Sequence, residues 1–188
     1  LILVWYYFVN TQLHVRAGIV TALNAVAAFT SVFLIGFSFV LGPLRNFLPK
    51  IFNPWLDSRK DFGLFGYGFA ALHLILVLFL TISETEAISL GVAASMAFAG
   101  MAFVIFTLMA LTSTASWMKT LGYENWKDLQ RLGYLAFAFV LLHITLIGNG
   151  VFWTRITGQI AMAFILFALF IRAVSQIFDN RAKEKIQV

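Results

Sequence analysis

The sequence predicts an all-α, polytopic transmembrane helix bundle, and three observations carry that prediction. Of 188 residues, 61% are hydrophobic and only 11% are charged, with a mean hydropathy of +0.91. A soluble domain of this length needs more polar surface. The apolar residues also fall in blocks of about 20, the length that crosses a hydrocarbon core as a helix. Finally, the basic residues collect in alternate connections between those blocks, as they do in membrane proteins with a fixed orientation.

Taken in order, the segments are a partial one at 1–9 and full-length ones at 17–41, 62–83, 87–111, 128–148 and 154–178, six helices in all. Together they are expected to form one transmembrane domain over 1–188. The chain starts at Leu1, without methionine and inside an apolar run, so the first helix is expected to be truncated or partial. The polar stretch that follows it, containing His14 and Arg16, is expected to be an outer loop. No stretch is left over for a soluble domain, which would put any flavin, nicotinamide or iron–sulfur module on another chain.

The connection 43–61 carries Arg45, Lys50, Arg59 and Lys60, and 112–127 carries Lys119 and Lys127, with Arg131 just inside the next helix. The last helix and tail add Arg172, Arg181, Lys183 and Lys185. The opposite connections hold Arg16, Arg155, Glu84 and Glu86. This bias predicts that the basic loops and the C-terminus are cytoplasmic, in what would be a bacterial inner membrane. Trp55, Trp117, Trp126 and Trp153 fall near helix ends, where amphipathic rings meet lipid headgroups. The net charge of +5 therefore reads as topology, with lipid as the surrounding partner and no nucleic acid. Cysteine is absent, which excludes disulfides, thiolate metal sites, cysteine-ligated clusters and thioether-linked haem.

Two histidines stand inside long apolar helices: His73 in FGLFGYGFAALHLILVLFLTI and His143 in LGYLAFAFVLLHITLIGNG. A polar ring in hydrocarbon is costly without a partner. The helices that hold them run in the same direction. His73 lies 11 residues beyond Phe62 and His143 15 beyond Asp128, or about 16 and 22 Å at the rise of an α-helix. Both rings could reach one iron near the midplane or in the outer half, clamping a haem from its two faces. Gly66 and Ala70, seven and three residues before His73, share its helical face and would let a flat macrocycle approach. Ala136 stands seven before His143. The same small residues also suit close helix packing. His14 is expected to be a solvated loop residue.

The pieces LGPLRNF, SRKDFGLFGYGFAALH, LTS at 111–113, LGYENWKDLQRLGY and the helix closing on His143 occur in that order. In this the chain, over roughly 17–172, resembles the ferric reductase-like transmembrane domain family. That family includes the haem-binding membrane subunit of the periplasmic methionine sulfoxide reductase system, and is related to NADPH oxidases and six-transmembrane metalloreductases. Such members read W-x-x-L-H-R-L-x-Y with a further histidine thirteen residues on. This chain reads WKDLQRLGY from Trp126, with Gln130 at the first histidine and His143 at the second. The resemblance implies one haem b, held by His73 and His143. The glutamine argues against a second haem on the cytoplasmic side, because an amide is a poor iron ligand beside imidazole.

Arginines are natural clamps for propionates. Arg155 and Arg16 are the candidates at the outer ends of their helices, and Gln130, Arg131 and Arg59 are those that could meet a flavin or quinone on the cytoplasmic side. Two functions remain. In one, the chain is a membrane haem b electron-transfer subunit, an oxidoreductase component passing electrons from a cytoplasmic or quinone donor to an outer acceptor through a separate soluble or membrane redox partner. In the other, it is a structural or assembly subunit of a larger membrane complex, with or without haem. Transport fits less well, since paired broken helices and buried acidic residues are missing.

Overall fold

The computed structural model describes residues 2–82, 89–147 and 156–184, with side chains over 18–80, 89–147 and 156–178. The described residues are helical, without strands. The long helices are α1 (Ile2–Phe47), α3 (Arg59–Ile82), α4 (Leu90–Leu111), α6 (Tyr123–Leu146) and α7 (Ile156–Glu184); the short ones are α2 (Pro49–Phe52) and α5 (Ala115–Leu121). A 3₁₀ turn covers Asn53–Trp55. Five helices are long and apolar enough to cross a membrane: Gly18–Phe47, Arg59–Leu80, Leu90–Leu111, Tyr123–Leu146 and Ile156–Phe178. The protein is an integral membrane helix bundle.

The N-terminal stub and the loop expected after it are not separate elements. Residues 2–47 form one uninterrupted helix of 46 residues, about 69 Å long by its rise. The stretch NTQLHVR is polar but contains no glycine or proline, so nothing in it breaks the backbone ladder. His14 is thus part of a helix, not of an outer loop.

The spanning part of α1 is the hub. Val32, Ile35, Phe39 and Val40 are buried there with Phe106 of α4, Ala136 and Phe137 of α6, and Ile165 and Ala168 of α7. Helix α3 packs along α1, α4 along α6, and α7 against α1 and α6. The two pairs, α1/α3 and α4/α6, meet only sparsely through α3 and α4. The outward faces stay apolar, with Phe65, Ile75, Phe79, Val104 and Phe170 all more than half exposed. In a bilayer these rings and branched chains contact lipid.

Pro43 shapes the packing near the end of α1. It lacks an N–H, so the carbonyl four residues earlier, that of Phe39, loses its helical donor. The Tyr134 hydroxyl of α6 donates to that oxygen at 3.2 Å. One residue back, Arg59 Nε donates to the Ser38 carbonyl at 2.8 Å, and Ser38 Oγ returns a bond to the Arg59 carbonyl at 2.8 Å. A backbone polar group freed inside a membrane must find such partners. These contacts fix the start of α3 and the middle of α6 against one stretch of α1.

Two local sequences place α4 and α6. Ser89 caps α4 through its Oγ, which accepts from Val92 N at 3.3 Å. Between α5 and α6 the chain turns at Gly122, whose φ of +76° is costly for any residue with a Cβ. From there Trp126 Nε1 donates to the Thr112 carbonyl at 2.9 Å, pinning the first turns of α6 to the end of α4.

Candidate functional site

His73 and His143 come together. Their ring centroids are 6.5 Å apart, with the ring planes inclined by 65°. Metal–imidazole bonds of about 2.0–2.1 Å place the centroids of two rings on opposite sides of one ion roughly 6–6.5 Å apart. The pair is near the end of the bundle remote from the basic connections: α6 ends at Leu146, three residues past His143, and α3 at Ile82, nine past His73.

Each ring is held by a neighbour from the helix it packs on. His73 Nδ1 lies 2.7 Å from Asn24 Oδ1 of α1. A carbonyl oxygen only accepts, so Nδ1 carries a proton, and the neutral ring then keeps its lone pair on Nε2. His143 Nδ1 is 2.8 Å from Ser95 Oγ and 3.0 Å from the Ser95 carbonyl, both on α4. The backbone carbonyl again fixes Nδ1 as the donor. Ser95, fully buried, also donates from Oγ to the His143 carbonyl at 3.0 Å. Both imidazoles are therefore oriented with Nδ1 as the donor, and in the neutral form each can offer Nε2, the arrangement that outer partners give to metal-binding histidines.

Asn24 and Ser95 are the residues that the sequence reading missed. Asn24 had a signal, since it is an amide within the apolar segment 17–41. Ser95 had little, because a serine in a membrane helix commonly bonds its own backbone.

The other candidates are placed as follows. Gly66 lies against α1. A Cβ there would stand 2.6 Å from Ile35 Cγ1 and 2.8 Å from the Ile35 backbone nitrogen, so its missing side chain serves close contact of α3 with α1. Ala70 is partly buried on the same helix, and Ala136 is a fully buried core residue. Gln130 Nε2 donates to the Met109 carbonyl at 3.3 Å and to Thr112 Oγ1 at 3.4 Å, so its amide ties α6 to the last turn of α4. Arg131 is exposed and ion-paired with Asp128 on its own helix. Arg155 lies outside the described residues, as does the side chain of Arg16. Among the described residues no group of three or more metal-ligating side chains occurs; the candidate site is a two-imidazole site.

The fold and its paired imidazoles define a class: a membrane helix bundle with two histidine rings close to one another inside it. The model of the family described as ferric reductase like transmembrane component matches residues 21–142, and the chain belongs to that family of membrane electron-transfer components. It is also similar to the magnetosome protein MamZ of Magnetospirillum gryphiswaldense, with 35% identity over 102 residues. That match covers 48% of this chain and 14% of MamZ, so the chain corresponds to a small part of that relative's length.

Proposed function

We propose that the chain is the haem-carrying electron-transfer part of a membrane oxidoreductase, with one haem b held between His73 and His143. The observation that carries this reading is the 6.5 Å separation of two rings whose Nδ1 atoms are already spoken for. Such a haem supplies one-electron transfer with no open coordination position, so substrate would not bind the metal. The chain's own contribution is to orient the two Nε2 atoms through Asn24 and Ser95, and to surround them with apolar helix that excludes water.

Several features favour a single haem. At the level of Gln130 the amide and the Trp126 indole are bonded to α4. Between α3 and α4, Tyr67 stacks on Phe103 at 5.6 Å and its hydroxyl meets Thr107 Oγ1 at 3.1 Å. Protein contacts thus fill the half nearer the basic connections. With that half cytoplasmic, by the distribution of arginine and lysine, electrons would enter there from a flavin or quinone meeting the exposed Arg131 face, and leave to an acceptor on the outer side. The redox partner would be a separate chain or domain, in a bacterial inner membrane.

A pyridine haemochrome assay on the purified chain tests the assignment. It is expected to give about one non-covalent haem b per chain. A value near two would demand a second ligand pair, and a value near zero in protein expressed with ample haem would leave a scaffold.

A further inference from the structure

Far from the histidines, two guanidinium groups converge on one tyrosine. Arg172 of α7 lies within the span Ile156–Phe178, and its guanidinium carbon is 5.2 Å from the centre of the Tyr134 ring. Its Nε is buried and has no hydrogen-bond partner. Arg59 begins α3, fourteen residues before His73, which is about 21 Å along the axis. Its Nε is used by the Ser38 carbonyl, and its Nη1 end runs over Gly42, where a Cβ would come within 3.3 Å. Arg59 and the Tyr134 hydroxyl donate to successive carbonyls of α1, those of Ser38 and Phe39, which brings Arg59 to the same stretch of α1 as Tyr134.

Among the described residues no carboxylate is paired with either of them. The ion pairs among the described residues, Lys127 with Glu124 and Arg131 with Asp128, leave both arginines out. Two like charges inside the end of a membrane bundle repel one another and lose hydration, and they are stable together when an anion sits between or beside them. The planar forks of arginine suit the paired oxygens of phosphate and carboxylate. The histidine pair is too distant for this anion to belong to it.

We infer that Arg59 and Arg172, with the Tyr134 ring against Arg172, form a binding site for a phosphate-bearing anion that enters at the basic end of the bundle. Two sources share this chemistry: the headgroup of an acidic phospholipid and a soluble phosphate ligand. Gly42 leaves the room that the Arg59 fork needs, and Pro43 frees the carbonyl that holds Tyr134 in place.

The test uses the full chain, delipidated in a neutral detergent, and reads thermal unfolding. Short-chain phosphatidylglycerol, short-chain phosphatidylcholine and inorganic phosphate are titrated separately. The wild type is expected to gain saturable protection from phosphatidylglycerol or inorganic phosphate, and much less from the zwitterionic lipid. Protection by the glycerol lipid alone assigns a headgroup; protection by inorganic phosphate as well assigns a soluble ligand. Either is expected to bind at least about tenfold more weakly to Arg172→Gln and to Arg59→Gln. Arg172→Lys, which keeps the charge and the fold but loses the fork, should fall between, and Lys119→Gln, an exposed cation on α5, should match wild type. Equal protection of wild type by the zwitterionic and anionic lipids, or unchanged titrations in both glutamine variants and the lysine variant, would overturn the site.

Discussion

The two halves of the bundle use the same helices and opposite polar chemistry. In the half remote from the basic connections, each of two imidazoles receives one fixed acceptor at Nδ1, from Asn24 or Ser95, and keeps Nε2 free. In the half nearer them, Gln130 stands on α6 thirteen residues before His143, and its amide is consumed by the end of α4. One half thus brings two imidazoles together across the gap between the α1/α3 and α4/α6 pairs. The other half closes that gap with hydrogen bonds and the Tyr67–Phe103 stack. A buried polar side chain stabilises a membrane bundle when its capacity is used up, and it makes a site when part of that capacity is left over.

The largest expected effect breaks the comparison at its open end. His73→Ala and His143→Ala should each abolish a low-spin haem spectrum, because bis-imidazole ligation needs both rings. His14→Ala, on the far N-terminal part of α1, should leave it intact. A normal low-spin spectrum in either membrane variant would show that the residue is no ligand.

A smaller effect separates the two supporting residues. Asn24→Leu removes the acceptor of His73 Nδ1, and loss of such an outer partner typically weakens metal-site affinity by about 10–100-fold. Ser95→Ala should weaken haem retention less, since the Ser95 carbonyl still accepts from His143. Competitive transfer of haem to apomyoglobin would rank them; equal losses would mean that the serine hydroxyl, not the carbonyl, holds the ring.

Gly66→Ala should act on packing alone. Its new Cβ meets Ile35 at the backbone nitrogen, an atom that cannot rotate away, and overpacking of this kind costs about 1–3 kcal/mol. Thermal unfolding should register the loss, while the folded fraction keeps the spectrum of wild type. An altered spectrum with unaltered stability would return Gly66 to the haem surroundings. At the closed end the effect is smallest: Trp126→Phe loses one bond to the Thr112 carbonyl, worth about 0.5–1.5 kcal/mol, with haem content unchanged. A drop in haem content there would mean that the two halves are coupled.

Much of this architecture was legible in the chain. Segment lengths and hydropathy located the spans, because a bilayer imposes both. His73 and His143 stood out because almost nothing else near them can ionise, and depths of about 16 and 22 Å on co-directional helices put them within reach of one another. The partners were not legible. Helix rotation decides that Asn24 faces His73 and that Gly66 faces Ile35, and rotation is set by contacts between helices distant in sequence. The first loop was misjudged for another reason: polarity marked 10–16 as a break, but polar residues alone do not end a helix, and no glycine or proline is present there. The chain from Pro43 to the Phe39 carbonyl to the Tyr134 hydroxyl had half a signal, since proline announces the orphaned carbonyl but not its rescuer.

The central claim is that one iron is gripped by two neutral imidazoles from α3 and α6. Near-infrared magnetic circular dichroism of the oxidised, purified chain tests it directly, because the charge-transfer band reports the axial ligand pair. The account predicts the band of a low-spin bis-histidine ferric haem, at one haem per chain and absent from His143→Ala. A band from any other ligand pair, or a high-spin haem in the wild type, would contradict it.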